Sequence, residues 1–277
     1  MCLRKLFPNW FPPDPIPEPI PDPEPTTVKR IHLGFAINDW PGSSNDLRGC
    51  LYDLQNIIAF LKKNYPDYVS YVFTDSEVTR KRIKDECRKH ILTLTPEDRL
   101  KITYSGHGTY GTDPHGIEAD GYIEALYPYD GPLWDYELKE ILDLAPAGTV
   151  ELQLDSCFSA GAATRSIGLV HNNLNIRNRY MPYQKINPCI PIRKSILRGE
   201  DINYLIFAGC QERQTSADAY IDGQYQGAFT YFWIKEWERN LTNQQWMDKV
   251  NLGIANGYEQ IPTLIGKDIS KNKIVFT

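Results

Sequence analysis

The sequence predicts an α/β fold in which a mainly parallel central sheet is covered by helices on both faces. Apolar runs of strand length alternate with stretches of helical periodicity along most of the chain. Strands that alternate with helices form parallel sheets, because the chain must cross back over the sheet before each new strand. The 277 residues, of which 42% are hydrophobic, are enough for one large α/β domain or two small ones.

The strands are predicted from short apolar runs, and the helices from apolar residues spaced three or four apart. The first strand is RIHLGFAI at 30–37, and further strands are predicted at 68–74, 100–104, 150–154, 204–208 and 273–276. Helices are predicted at 53–63, 79–92, 134–144, 229–239 and 244–255. Thr79 is of a residue type that caps a helix N-terminus, so we expect the second helix to begin there.

The N-terminal segment is predicted to be a proline-rich extended tail over residues 1–25. Residues 12–25 read PPDPIPEPIPDPEP, and proline at nearly every second position disfavours helix and removes backbone donors. A spacer is the simpler interpretation, and docking to a proline-reading partner is the alternative. We place the domain boundary at residue 26, so the folded domain is predicted to cover 26–277.

Composition excludes several classes of function. The net charge is -5 and no Lys/Arg-rich block occurs, so no nucleic-acid partner is expected. No apolar run approaches the ~20 residues of a membrane span, and Pro8 and Pro12 interrupt any signal-peptide core. The six cysteines form no CxxC pair, which argues against structural zinc. A cytoplasmic protein with reduced thiols is the expectation.

Two short strings of small and reactive residues follow predicted core strands. They are YSGHG at 104–108 and DSCFS at 155–159. In such sheets the functional site lies at the carboxyl ends of the strands. We therefore predict that Cys157 is a nucleophile, that His107 is its base, and that the N–H groups of Gly108 and Cys157 hold an oxyanion. Either string alone also fits an ordinary strand end, so the prediction rests on the pair.

At this point the chain resembles the caspase-like cysteine peptidases of clan CD, and metacaspases in particular. His107 precedes Cys157 by about 50 residues, as in the caspase signature. The strings that carry the resemblance are INDWPGSSNDLRGC (37–50), YSGHGT (104–109), EADGYIEALYPYD (118–130), DSCFSAG (155–161), GCQERQTSADA (209–219) and GAFTYF (227–232). The resemblance implies a three-layer αβα caspase-like fold, protein or peptide substrates, and a monomer.

The resemblance also implies a specificity. Cys50, Asp53, Ser105 and Asp155 match the residues that line the primary pocket of metacaspases. Two carboxylates in a narrow pocket favour a cationic side chain and repel an acidic one, so cleavage after Arg or Lys is expected. Asp53 alone also fits an exposed helix position.

Such a preference makes self-processing in the 162–199 segment a hypothesis. That segment contains Arg165, Arg177, Arg179, Lys185, Arg193, Lys194 and Arg198. The alternative is that these basic residues only keep a surface loop soluble.

The sequence departs from the family pattern at two places. Phe158 and Ala160 replace the His and Gly that usually follow the nucleophile, and neither is a reacting group. Ile123 stands where the family has an aspartate that binds calcium. Carboxylates nearby in sequence are Glu118, Asp120, Glu124 and Asp130, which could equally serve turns. Calcium is therefore a candidate ligand but not an expected requirement.

Two other functions compete with a peptidase. One is a catalytically silent caspase-like scaffold that binds protein partners. The other is a protease whose tail recruits the substrate. The presence of both Cys157 and His107 weighs against the scaffold.

Overall fold

The computed structural model describes residues 28–113, 121–157, 176–182, 202–211, 214 and 216–275. The predicted tail at 1–25 lies outside these residues. Among the described residues, no helix is both long and apolar enough to cross a membrane.

A six-stranded sheet forms the centre of the fold. Its strands are β1 (Arg30–Ala36), β2 (Tyr68–Thr74), β3 (Arg99–Ser105), β7 (Val150–Asp155), β9 (Leu205–Ala208) and β12 (Thr263–Ile265). They lie in the order β12-β9-β7-β3-β1-β2. All neighbours are parallel except β12, which pairs antiparallel with β9 at one edge. The mainly parallel sheet predicted from the sequence is confirmed.

Helices cover both faces of this sheet. They are α1 (Cys50–Asn64), α2 (Arg80–Ile91), α3 (Asp135–Leu142), α4 (Ala228–Lys235), α5 (Asn243–Ile254) and α6 (Asp268–Lys271). Thr79 caps α2, as predicted, by accepting a hydrogen bond from the N–H of Arg82 at 3.1 Å.

The side chains of β9 show how the layers are divided. Leu205 and Phe207 pack in one apolar cluster with residues of α4 and α5, whereas Ile206 packs in another with residues of α2 and α3. Neighbouring residues of a strand point to opposite faces of a sheet. The two clusters are therefore the two halves of a three-layer αβα core.

Two smaller sheets, which the sequence did not predict, lie beyond the ends of the central strands. One contains β4 (Gly108–Thr112), β5 (Tyr122–Leu126) and β6 (Leu133–Trp134). The other contains β8 (Ile176–Asn178), β10 (Ala217–Ile221) and β11 (Gln224–Gly227). These strands are two to five residues long, which is too short for a clear apolar alternation.

The last predicted strand, at 273–276, is wrong over its described residues 273–275. The edge strand is β12, and Ile274 makes only an isolated bridge to Thr242. Val275 is buried in the cluster that contains the α4 and α5 residues, so the apolar run reflects packing rather than pairing within the sheet.

His32 and Cys87 are both buried. The His32 ring makes hydrogen bonds to the hydroxyl groups of Ser70 at 3.1 Å and Thr103 at 2.9 Å. These two residues are therefore parts of the core.

Candidate active site

The register of the central sheet brings the two reactive strings together. Ser105 and Asp155, the last residues of β3 and β7, are paired across the sheet. His107 and Cys157 each follow two residues later, and the N–H of Gly106 donates to the carbonyl of Asp155 at 3.3 Å. Both side chains are buried. Two residues about 50 positions apart in sequence thus lie at one edge of the sheet, as the strand-end rule predicts.

The His107 ring is fixed in orientation and tautomer. Its Nε2 lies 2.6 Å from the carbonyl oxygen of Asn45, which can only accept, so Nε2 carries the proton. Its ring packs against Trp40 with the centroids 4.4 Å apart. Among the described residues Nδ1 has no hydrogen-bond partner. Burial lowers the pKa of His107 to about 4, so the imidazole is neutral at neutral pH and Nδ1 can accept a proton.

The Cys157 thiol lies against the backbone of Ser216. The N–H of Ser216 donates to its Sγ at 2.8 Å, and Sγ lies 3.7 Å from the Ser216 carbonyl. Burial raises the pKa of Cys157 well above its usual range, and the neighbouring Cys210 adds to the rise. The sulfur is therefore a thiol in this arrangement, and attack requires a base.

Two backbone donors converge on one carbonyl oxygen beside Cys157. The N–H groups of Gly108 and of Cys157 both donate to the Arg179 carbonyl, each at 3.1 Å. A Cβ atom at Gly108 would lie 1.8 Å from the carbonyl oxygen of Cys157, so the position requires glycine. The Arg179 carbonyl occupies the place that a substrate carbonyl would take at an oxyanion-stabilising site.

The side chain of Arg179 fills an acidic pocket. Its guanidinium, which is fully buried, lies 2.7 Å from Asp53, 3.2 Å from Asp155 and 3.1 Å from Asp218. It also donates to the Ser105 hydroxyl at 2.7 Å. These carboxylates raise the pKa of Arg179 although burial opposes the rise. A pocket with three buried carboxylates strongly favours a positively charged side chain.

Most of the predicted pocket residues meet at this guanidinium. Asp53 and Ser105 contact it directly, as does Asp155, and Cys50 is buried close enough for the Arg179 charge to act on its thiol. Burial raises the pKa of Asp53 to about 7, Asp155 adds to the rise, and Arg179 opposes it. The roles assigned to these residues remain predictions.

Asp218 is a third pocket carboxylate, and it lies in the string GCQERQTSADA that carries the family resemblance. Its carboxylate also accepts hydrogen bonds from the N–H groups of Arg48 at 2.9 Å and Gly49 at 3.0 Å. Its position in the string QTSADA was the only signal for it. Gly227 closes the pocket from the other side, where a Cβ atom would lie 2.1 Å from the Asp155 carboxylate.

Residues 176–182 cross the site as an extended strand. Strand β8 pairs antiparallel with β10, and the N–H of Arg179 continues that ladder by donating to Ser216 at 3.1 Å. After Arg179 the N–H of Met181 donates to the Gly108 carbonyl at 2.9 Å. The chain therefore lies in its own cleft as a peptide substrate would, with the Arg179–Tyr180 bond beside Cys157.

The described residues show no calcium site. They contain no group of three or more His, Cys, Asp or Glu side chains arranged to hold a metal. Ile123 is buried among Ala125, Trp134 and Tyr136, and Asp130 accepts from the N–H of Arg80 at 2.7 Å. Glu118 and Asp120 lie outside the described residues, as do Phe158 and Ala160.

Comparison with known proteins identifies the family of the chain. The caspase domain family model matches residues 29–274. Metacaspase-1 of Schizosaccharomyces pombe is 28% identical over 284 residues, covering 85% of this chain and 67% of that protein. Metacaspase-1A of Aspergillus terreus is 27% identical over 285 residues, covering 86% and 70%.

The same fold occurs in a crystal structure of a protein from Geobacter sulfurreducens. The TM-score is 0.69 at 23% sequence identity, with 90% of this chain and 98% of the other covered. The family match covers most of the chain, from β1 to beyond α6. The chain therefore belongs to the caspase domain family and is a cysteine-type endopeptidase with metacaspase relatives.

Proposed function

We propose that this endopeptidase cleaves polypeptides after Arg or Lys, with Cys157 as nucleophile and His107 as base. The observation that carries the proposal is the position of Arg179. Its guanidinium lies among Asp53, Asp155 and Asp218 while its carbonyl oxygen accepts from the N–H groups of Gly108 and Cys157. One residue thus occupies both a cation pocket and an oxyanion site.

The pocket favours arginine over lysine in this proposal. The planar guanidinium contacts the carboxylates of Asp53 and Asp218 through Nη2, and Asp155 and Ser105 through Nη1. An ammonium group has one nitrogen and reaches fewer of these partners at once. An aspartate or glutamate side chain would meet like charge in a buried site and is rejected.

The reaction begins with transfer of the Cys157 thiol proton to Nδ1 of His107. The thiolate attacks the carbonyl carbon, and the resulting oxyanion is held by the N–H groups of Gly108 and Cys157. The imidazolium then protonates the leaving amine, and a thioacyl-enzyme forms. Water, deprotonated by His107, attacks the thioester, which releases the new carboxyl terminus and restores the thiol.

Self-processing at the Arg179–Tyr180 bond follows from the same chemistry. Among the basic residues of the 162–199 segment that the structure describes, Arg179 has its side chain in the pocket, whereas Arg177 donates to the backbone carbonyl of Asp46. Arg165, Lys185, Arg193, Lys194 and Arg198 lie outside the described residues. We therefore assign the self-cleavage site to Arg179.

The proposal is tested with fluorogenic peptides that end in Arg, Lys, Asp or Leu. We expect Cys157-dependent hydrolysis of the Arg peptide, slower hydrolysis of the Lys peptide, and none of the others. The matched control is the Cys157→Ala enzyme, which keeps the pocket but lacks the nucleophile. Cleavage after Asp or Leu would overturn the pocket assignment, and no cleavage at all would favour the silent scaffold.

A further inference from the structure

The half of the cleft that follows the scissile bond also makes specific side-chain contacts. The ring of Tyr180, the residue directly after Arg179, stacks on Tyr110 of β4 with the centroids 6.2 Å apart and the planes at 24°. Tyr110 is in turn packed edge-on against Tyr122 of β5 at 5.4 Å. The aromatic surface that receives Tyr180 is therefore part of the β4–β5 sheet and is held by it.

The next residue, Met181, is buried in the apolar core. Its side chain belongs to the same cluster as the residues of α2 and α3, with 4% of its surface exposed. A long unbranched side chain such as methionine fills an irregular apolar space well. The position two residues after the scissile bond thus has an apolar seat.

Backbone hydrogen bonds with Gly108 hold Tyr180 and Met181 in their positions in the cleft. Gly108 donates to Arg179 and accepts from Met181, so Tyr180 forms a parallel bridge with Gly108. The Thr109 hydroxyl adds bonds to the carbonyls of Met181 at 3.1 Å and Pro182 at 3.0 Å. A peptide bound one residue out of register would place other side chains in the arginine pocket and beside Tyr110.

The exposure of residues 178–182 indicates which side chains contact the cleft and which face solvent. Arg179 and Met181 are buried and Tyr180 is half-buried, whereas Asn178 and Pro182 are exposed. Selection therefore falls on the residue before the cleaved bond and on the two residues after it.

We propose that the β4 side of the cleft is a second specificity site, which selects an aromatic residue directly after the cleaved arginine and an unbranched apolar residue after that. This inference rests on the proposed function, because it concerns the same reaction. It names the substrate class as an extended polypeptide that contains Arg, an aromatic residue and Met in that order. Tyr110 is its specificity-determining residue, and Thr109 holds the peptide backbone.

The test uses the full chain and internally quenched peptides built on Ile-Arg-Asn-Arg-Tyr-Met. Serine in place of Tyr is expected to lower kcat/KM about fivefold, and serine in place of Met about tenfold, from lost stacking and apolar burial. Serine in place of Asn is the matched control, and it should change kcat/KM by less than about twofold, since that position is solvent-exposed.

A Tyr110→Ala enzyme assigns the aromatic preference to this residue. The ratio of kcat/KM between the Tyr and Ser peptides is expected to fall from about five to near one. If this variant does not fold, the peptide series on the unchanged enzyme still decides. Equal kcat/KM for all peptides that contain the central Arg would overturn the second site while leaving arginine cleavage intact. Failure to cleave any of them would overturn the proposed function itself.

Discussion

Lys101 and Arg179 are the two fully buried cations among the residues that the structure describes, and their surroundings differ. Lys101 lies within β3, 3.7 Å from Glu151 and 4.3 Å from the ring centroid of Trp233. Arg179 lies at the strand ends among the carboxylates of Asp53, Asp155 and Asp218. Burial lowers the pKa of Lys101 to about 8, whereas the carboxylates raise the pKa of Arg179 in spite of burial.

The comparison distinguishes a structural charge from a bound one. Lys101 is a buried cation of the core, whereas Arg179 is held by a pocket whose carboxylates favour a cation. Burial of a single ion pair costs several kcal/mol in desolvation and seldom stabilises a fold. A cluster of buried carboxylates is worse still for the fold unless a cation is present. A cluster of this kind, supplied by α1, β7 and β10, therefore indicates a binding site, and the single ion pair of Lys101 is the comparison for it.

The largest expected effect comes from neutralising the pocket. Asp53→Asn or Asp155→Asn should lower kcat/KM for arginyl peptides by about 100-fold or more, because breaking one buried charge pair costs about 3–5 kcal/mol. The comparison variant is Glu151→Gln, which removes the carboxylate beside Lys101 instead. It should leave kcat/KM unchanged while lowering the free energy of unfolding. Equal kinetics in all three variants would remove the pocket assignment.

The next effect is on the pH dependence of the free energy of unfolding, to which Lys101 contributes through its lowered pKa. The pKa of Lys101 falls from 10.5 to about 8 on folding, so the folded state binds fewer protons in that window. The free energy of unfolding should therefore rise between pH 8 and 10.5, by up to about 3 kcal/mol relative to a Lys101→Met variant. Urea denaturation of both proteins measures this, and parallel pH curves would contradict the assignment.

A smaller effect is expected from removing the occupant of the pocket. Arg179→Gln should raise hydrolysis of arginyl peptides severalfold at low peptide concentration, because the chain no longer competes with them. Arg177→Gln is the matched control, since its side chain contacts the Asp46 carbonyl outside the pocket. Unchanged hydrolysis in the Arg179→Gln enzyme would mean that the Arg179 side chain does not compete with peptides for the pocket.

The smallest expected effect is that of calcium. Ile123 is buried in an apolar cluster and supplies no oxygen ligand, and one carboxylate oxygen of Asp130 already accepts from the N–H of Arg80. Addition of calcium or of a chelator should change kcat/KM by less than about twofold. A severalfold change would point to ligands outside the described residues.

Much of the fold and part of the site could be predicted from the sequence. The central strands and the long helices are continuous apolar or periodic runs, and strand-end placement brought His107 and Cys157 together. The short strands β4, β8 and β10 lack such runs. Local sequence patterns could not assign roles to Asp218 and Arg179. Arg179 lies 39 residues from Asp218 in sequence and 126 residues from Asp53, and only the fold brings them together. Nothing in the sequence distinguishes Arg179 from the other basic residues of its segment.

The most direct test of the central claim is to map self-cleavage in the purified full chain. Intact mass and N-terminal sequencing would compare the wild type with Cys157→Ala, with and without calcium. We expect a wild-type fragment that begins at Tyr180 and a full-length Cys157→Ala protein. Full-length mass in both proteins under both conditions, or a cut at another basic residue, would contradict it.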